Sequence, residues 1–139
     1  MPSSFGPPRI LIAEDHEGSR DFACAVLSEA GFDVVGAGDG EEALFAIAAD
    51  PSIGLLVTDI MMPGTLDGWA LARKAKALRP ALRVVYMTAV AAMVPADQDG
   101  PGYGPLLPKP WTPEQLLGWV RRSLRLSPGP RVTHPRTPW

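Results

Sequence analysis

The sequence predicts an α/β fold in which a doubly wound, five-stranded parallel sheet is covered by helices on both faces. Three short apolar runs do not alternate with polar residues, a pattern typical of parallel strands buried on both faces. Segments with helical spacing separate these runs, and such alternation favours a parallel sheet built from right-handed crossovers. A length of 139 residues fits one domain of this kind.

The predicted strands differ in the strength of their signal. The three apolar runs, at residues 10–13, 55–57 and 84–87, consist mainly of Ile, Leu and Val. Residues 33–36 and 105–107 are less apolar or shorter, and they complete the sheet as its weaker strands.

The first predicted helix follows the first strand. Phe22, Val26 and Ala30 fall on one stripe of this helix, with Ala23 and Leu27 beside it. We expect this apolar stripe to pack against the sheet.

The remaining predicted helices cover residues 40–49, 67–78 and 112–126. The last of them has a clear start signal, because Thr112 is a favoured N-cap residue and Pro113 suits the first helical position. Gln115 stands three residues after the cap, where its side chain completes a capping box.

A fourth helix, between the fourth and fifth strands, is expected to be short or irregular. Three prolines and three glycines fall between residues 95 and 105, and a long helix cannot pass through them. We expect one short turn of helix near residues 89–94, followed by an irregular loop.

The two ends of the chain differ in composition from the rest. Seven of the sixteen prolines lie within residues 1–8 and 127–139, which contain few large apolar side chains. Both segments are predicted to be flexible tails. The folded domain is expected to span residues 9–126.

Charge and cysteine content exclude several classes of protein. Thirteen basic and fifteen acidic residues give a net charge of −2, without the positive field that attracts nucleic acid or anionic membranes. The single Cys24 excludes an internal disulfide framework, and no apolar run approaches the roughly 20 residues that span a bilayer. We expect a cytoplasmic protein with no nucleic-acid partner and no membrane insertion.

Strongly polar residues follow four of the predicted strands. Glu14 and Asp15 follow the first, Asp59 the third, Thr88 the fourth and Lys109 the fifth. The carboxyl ends of parallel strands meet at one edge of a sheet, where ligands bind in this architecture. Three carboxylates brought together repel one another unless a cation neutralises them. Oxygen ligands without a zinc-type His or Cys pattern favour Mg²⁺.

These motifs, in this order, resemble the receiver domain of bacterial two-component response regulators over nearly all of residues 9–126. The matching pieces are Glu14-Asp15, Val57-Thr58-Asp59-Ile60-Met61-Met62-Pro63-Gly64, Asp67-Gly68, Thr88-Ala89 and Leu107-Pro108-Lys109-Pro110. The resemblance implies a flavodoxin-like strand order, 2-1-3-4-5. It also implies a signalling protein, rather than a metabolic enzyme, that is phosphorylated by a histidine kinase or a phosphotransfer protein.

The resemblance further implies a phosphoacceptor and a metal site. Asp59 is implied as the nucleophile that attacks the phosphorus of a phosphohistidine or a small acyl phosphate. Mg²⁺ would be held by Asp15, Asp59 and the backbone carbonyl of Met61, with Glu14 reaching the ion through water.

Lys109 and Thr88 are implied as partners of the phosphoryl oxygens. Lys109 would pair with one oxygen, and Thr88 would bond another and draw its loop inward. The Lys109–Pro110 peptide bond is cis in most of the family. From the residues alone, two other interpretations stay open: Asp59 as a turn residue, and Glu14-Asp15 as a charged N-cap region.

The chain departs from the family at two places that bear on signalling. Leu106 replaces the aromatic residue usual three positions before the lysine. Tyr103 and Trp111 stand near this position in the sequence, and we expect packing roles for both rather than a substitute role. Met61 and Val90, two residues after Asp59 and Thr88, are apolar and cannot orient an attacking water. We therefore expect slow self-dephosphorylation.

Two other known sequence patterns are matched only in part. Residues 36–41, Gly-Ala-Gly-Asp-Gly-Glu, begin like a dinucleotide-binding fingerprint, but Glu41 stands at the third glycine position. Haloacid-dehalogenase-like phosphatases carry a second Asp where this chain has Met61.

The sequence leaves three contexts open for this domain. A stand-alone receiver, monomeric or weakly dimeric, is favoured because the thirteen Pro-rich residues after 126 cannot build an output domain. A receiver excised from a hybrid histidine kinase or a larger regulator is the second. A binding scaffold that keeps the fold without being phosphorylated is the third.

Overall fold

The computed structural model describes residues 7–89 and 103–125, which form one five-stranded sheet with helices on both faces. The strands are β1 (Arg9–Ala13), β2 (Val34–Ala37), β3 (Ile53–Asp59), β4 (Arg83–Thr88) and β5 (Leu106–Pro108). All neighbouring strands are parallel, in the order β2-β1-β3-β4-β5. The predicted fold class and strand order are confirmed.

The described residues contain the helices α1 (Glu17–Glu29), α2 (Gly40–Ala49), α3 (Gly68–Leu78) and α4 (Pro113–Arg125). The side chains of His16, Asp39 and Asp67 cap the first three helices, each accepting from the N–H three residues later. Before α4, the Thr112 hydroxyl accepts from the Gln115 N–H at 3.1 Å, and the Gln115 side chain accepts from the Thr112 N–H at 2.9 Å. The predicted capping box is therefore present.

Alternate residues of β1 enter two cores on opposite faces of the sheet. Ile10 and Ile12 pack with Leu27 of α1 on the face that α4 also covers. Leu11 packs with Leu71 of α3 on the face that α2 also covers. All of these side chains are fully buried, which explains why the strand shows no alternation of apolar and polar residues.

The stripe predicted for α1 is wrong in part. Ala23 and Leu27 face the core, whereas Phe22 is 51% exposed and Ala30 ends the helix as its C-cap. Successive helical residues are only 100° apart, so neighbouring apolar rows do not by themselves decide which row meets the sheet. The Phe22 ring instead stacks on Trp111, with centroids 5.6 Å apart and planes inclined by 13°.

Several sequence-based predictions lie wholly or partly outside the described residues. They concern the two tails, the short helix near residues 89–94 and the following loop, of which the structure describes only 103–105. Among the residues that are described, no helix has the length and apolar character needed to cross a membrane.

Candidate functional site

The register of the sheet brings the polar strand ends to one edge. Ala13 is level with Thr58 across β1 and β3, and Thr88 is level with Pro108 across β4 and β5. Residues that follow these positions therefore emerge side by side. The predicted site residues at this edge are Glu14, Asp15, Asp59, Thr88 and Lys109.

Three carboxylates form the centre of the site. One carboxylate oxygen from each of Glu14, Asp15 and Asp59 lies within 4.8 Å of the others. Glu14 and Asp59 are buried, with 2% and 7% of their surface exposed, whereas Asp15 lies at the surface. Negative charge is thus concentrated in a recess that is open on the side of Asp15.

Lys109 supplies a positive charge to this cluster. Its Nζ donates to Glu14 Oε1 at 2.7 Å and to Asp59 Oδ2 at 3.1 Å. Burial disfavours the charged amine, but the hydrogen bonds and charges of Glu14 and Asp59 outweigh burial and raise the pKa of Lys109. The lysine therefore stays protonated and divides its hydrogen bonds between the two carboxylates.

The ionisation of Asp59 is disfavoured by its surroundings. Burial, followed by the charge of Glu14, raises the pKa of Asp59 to about 6, although Lys109 acts in the opposite direction. One lysine is therefore not enough to compensate the buried negative charge. A further cation close to Asp59 would favour its ionised form.

Main-chain hydrogen bonds hold the segment that carries Asp59. The Ile60 N–H donates to the Met87 carbonyl at 2.9 Å, and the Gly68 N–H donates to the Ile60 carbonyl at 2.8 Å. The Thr58 hydroxyl donates to the Asp59 carbonyl at 2.9 Å. The end of β3 is thus joined to β4 on one side and to the start of α3 on the other.

The other predicted site residues surround the cluster. Thr88 is 1% exposed, and its carbonyl accepts a hydrogen bond of 2.7 Å from the Lys109 N–H. The Lys109–Pro110 peptide bond is cis, as the family resemblance implies. Met61 is 51% exposed, so its side chain is not part of the core.

For Glu14, the helix-cap alternative is not what the structure shows. His16 is the N-cap residue of α1, and its Nδ1 accepts from the Ser19 N–H at 3.1 Å. Glu14 accepts from the His16 N–H on Oε2 and from Lys109 on Oε1. Its side chain therefore belongs to the charged cluster.

Sequence reasoning missed two residues that hold the main chain around the site. Arg20 Nη1 donates to the Glu14 carbonyl at 3.0 Å. Glu41, in the first turn of α2, accepts from the N–H and the hydroxyl of Thr65 in the loop between β3 and α3. No local sequence pattern links Glu41 to Thr65, so this contact could not be predicted. Arg20 stands in the first turns of a helix that follows an acidic strand end, and this placement could have indicated its contact with the site.

The donor set of the cluster fits Mg²⁺. Glu14, Asp15 and Asp59 offer hard carboxylate oxygens, and no His or Cys belongs to this group. Mg²⁺ is commonly bound by one or two carboxylates while it keeps several waters, which give way to phosphate oxygens. The exposed position of Asp15 leaves room for such waters.

A pocket of about 450 Å³ adjoins the cluster on the side of α1. Its lining includes two members of the charged cluster, Glu14 and Lys109, and the aromatic side chains of Phe22 and Trp111. The site is therefore reachable by groups larger than water.

Lys109→Met is expected to destabilise the metal-free protein by about 2 kcal/mol at neutral pH, because two buried carboxylates lose a charged hydrogen-bond donor. Added Mg²⁺ binds to the folded state and replaces part of the missing charge. The stabilisation that Mg²⁺ provides should thus be larger in this variant than in the wild type, as measured by urea unfolding with chelator and with MgCl₂.

Lys76→Met provides a matched control for this comparison. Lys76 Nζ donates to the carbonyls of Pro80 and Leu82, each at 2.8 Å, rather than to carboxylates. Its replacement should leave the stabilisation by Mg²⁺ unchanged. An equal response to Mg²⁺ in Lys109→Met and Lys76→Met would contradict the role given to Lys109.

Comparison with known proteins identifies the family of this chain. Residues 10–121 match the family model of the response regulator receiver domain. The chain is 35% identical over 117 residues to the response regulator receiver protein CpdR of Brucella abortus, covering 84% of this chain and 96% of CpdR. It is 30% identical to the transcriptional regulatory protein HprR of Escherichia coli, of which it spans 52%.

Solved structures agree with this assignment. The chain resembles a response regulator receiver protein from Sinorhizobium medicae with a TM-score of 0.78 and 30% identity, over 88% of this chain and 98% of that one. It resembles the receiver domain of the hybrid histidine kinase CckA with a TM-score of 0.70 and 32% identity, over 84% and 98%. The chain therefore belongs to the response regulator receiver domain family of two-component signalling.

Proposed function

We propose that this chain is a phosphoacceptor receiver in which Asp59 takes a phosphoryl group from a histidine kinase or a phosphotransfer protein. The observation that carries the proposal is the cluster itself. A carboxylate that is only 7% exposed stands beside two further carboxylates and a protonated lysine at the ligand-binding edge of the sheet.

The proposed reaction is nucleophilic substitution at phosphorus. A carboxylate oxygen of Asp59 forms a new O–P bond as the N–P bond of phosphohistidine, or the O–P bond of an acyl phosphate, breaks. The leaving group keeps the electron pair of the broken bond. With a pKa of about 6, Asp59 is mainly ionised at neutral pH, as a nucleophile must be.

Asp15, Asp59 and the backbone carbonyl of Met61 would hold Mg²⁺, with Glu14 reaching it through water. The proximity of the three carboxylates supports this assignment. The ion supplies positive charge to phosphoryl oxygens during the transfer.

Lys109 and Thr88 would convert the added phosphoryl group into a changed surface. Lys109 is already hydrogen-bonded to Asp59, so it would turn from Glu14 toward a phosphoryl oxygen. Thr88 would donate to a second oxygen and draw the end of β4 inward. The chain would then act through partner binding or by passing on the phosphoryl group.

The test is incubation of the full chain with acetyl phosphate and Mg²⁺, followed by intact-mass measurement. One phosphoryl group should be added, and chelation of Mg²⁺ should prevent it. Borohydride reduction of the acyl phosphate, followed by peptide mapping, should locate the reduced residue at Asp59. Labelling of another residue, or labelling that persists with chelator, would contradict the proposal.

The same sample reports on the lifetime of the adduct. Met61 offers no polar group to orient an attacking water, so we expect slow loss of the phosphoryl group after the donor is removed. A lifetime of seconds at neutral pH would contradict this expectation.

The experiment distinguishes the proposal from one of the two alternatives, the scaffold. A phosphorylation-independent scaffold would give no adduct with acetyl phosphate or with a phosphorylated histidine donor protein, even where Mg²⁺ binds. A receiver that belongs to a longer kinase or regulator would give the same adduct, and relatives such as HprR, about twice as long as the matched region, make that context the second proposal.

A further inference from the structure

We propose that Arg20 is a positioning residue for the metal-binding carboxylates, and that Gly36 and Gly38 leave the space in which its side chain lies. This inference rests on the Mg²⁺-dependent function proposed above. It assigns a role to an arginine outside the charged cluster and to the first two glycines of the Gly-Ala-Gly-Asp-Gly segment, where Glu41 replaces the third glycine of a dinucleotide-binding fingerprint.

The Arg20 side chain runs from α1 across the end of β2 toward the site. Its Nη1 donates to the Glu14 carbonyl at 3.0 Å, and this bond is partly buried. A Cβ atom added at Gly36 would lie 3.2 Å from both Cγ and Cδ of Arg20. A Cβ atom added at Gly38 would lie 3.3 Å from Arg20 Nη1.

Space, not backbone conformation, explains the two glycines. Among the described residues, positive φ angles occur at Gly31 and Gly64 but not at Gly36 or Gly38. Contacts of 3.2–3.3 Å are tighter than ordinary Cβ contacts, so a side chain at either position would displace the arginine by a few tenths of an ångström.

The bond from Arg20 completes the fixation of Glu14. The Glu14 N–H donates to the Ala37 carbonyl at 3.0 Å, and its carboxylate is bonded to the His16 N–H and to Lys109. Its carbonyl, which leads directly into Asp15, is held by Arg20. Asp15 itself is exposed. By holding the Glu14 carbonyl, the arginine fixes the main chain from which the Asp15 carboxylate would reach the metal.

Removal of Arg20 would change Mg²⁺ affinity in opposite directions, depending on whether the arginine acts through its charge or by orienting the carboxylates. A guanidinium bonded to the Glu14 carbonyl lies near the proposed metal site and repels Mg²⁺, so loss of its charge alone would tighten Mg²⁺ binding. Loss of a group that orients the ligands of a metal weakens binding, typically 10–100-fold. The sign of the change therefore separates the two roles.

The experiment is a titration of the chelator-treated, ¹⁵N-labelled full chain with MgCl₂, followed by amide chemical shifts. Arg20→Met keeps much of the aliphatic stem and removes the donor, and should weaken Mg²⁺ binding about tenfold. Arg20→Lys keeps a donor and should recover part of the affinity. Arg83→Met is the matched control, because Arg83 Nη1 also donates to a backbone carbonyl, that of Ser123, at 3.0 Å, but at the start of β4.

A double-mutant cycle tests whether Gly38 affects Mg²⁺ binding by leaving space for Arg20. Gly38→Ala should weaken Mg²⁺ binding in the wild type but not further in Arg20→Met, where no guanidinium meets the new methyl group. Equal or tighter binding in Arg20→Met, or the same weakening in Arg83→Met, would overturn the inference. Failure of the wild-type chain to bind Mg²⁺ would instead contradict the proposed function.

Discussion

Asp59→Asn is expected to abolish phosphoryl incorporation completely and, at the same time, to stabilise the metal-free fold at neutral pH. The amide has no negatively charged oxygen to attack phosphorus, so no concentration of acetyl phosphate or Mg²⁺ should restore the adduct. The amide also carries no charge into the buried site beside Glu14. Its oxygen remains able to accept the hydrogen bond from Lys109.

The pH dependence of this gain follows from the raised pKa of Asp59, which is about 6 in the folded protein against an ordinary value of 3.8. Between these two values the folded state binds the proton that the unfolded state has lost, so wild-type stability falls as the pH rises through this window. The variant has no such loss. Its advantage should therefore be absent near pH 4 and complete above about pH 6.

The size of the gain is about 3 kcal/mol, because one pKa unit corresponds to about 1.4 kcal/mol and the pKa of Asp59 rises from 3.8 to about 6 even with Lys109 beside it. The measurement is urea unfolding with chelator at several pH values, combined with the intact-mass assay.

Asp15→Asn is the matched control: it removes the same charge from an exposed carboxylate, so its gain in stability should be smaller. Its labelling should recover at high Mg²⁺. A stability gain for Asp59→Asn that persists near pH 4 would contradict the assignment of the raised pKa.

The sequence contains enough local information to predict the strands and the edge at which they end. Runs such as residues 10–13 are apolar throughout because both faces of the sheet are covered, and polar residues begin where each strand leaves the core. Since parallel strands share one carboxyl edge, Glu14, Asp59 and Lys109 were predicted to meet there, and the structure brings them within hydrogen-bond distance.

The parts that were not predictable depend on contacts between distant elements. The rotation of α1, which places Ala23 inside and Phe22 against Trp111, is decided by packing and not by the helical repeat. The bond from Arg20 to Glu14 depends on the space above β2, which periodicity does not describe. The sequence does not predict that His16 caps α1, because histidine is not among the usual N-cap residues.

Gly68→Ala is expected to lower the free energy of unfolding by about 3 kcal/mol, at the upper end of the range for inserting a methyl group into a packed region. Gly68 begins α3, and its N–H donates to the Ile60 carbonyl at 2.8 Å. A Cβ atom there would overlap the Asp59 carbonyl oxygen and would lie 2.7 Å from Ile60 Cα. These are backbone atoms, so no side-chain rotation relieves the contact.

The clash should reach function because the displaced atoms belong to the phosphoacceptor. To accommodate the methyl group, the end of β3 and the start of α3 must separate, and Asp59 moves away from Glu14 and Lys109. Gly118→Ala is the matched control, because nothing lies within 4 Å of a Cβ at this position inside α4. That variant should be stabilised by about 0.5–1 kcal/mol through helix propensity and should bind Mg²⁺ normally. Urea unfolding and Mg²⁺ titration of both variants make the comparison, and equal stabilities would show that the contact between α3 and β3 does not determine the position of Asp59.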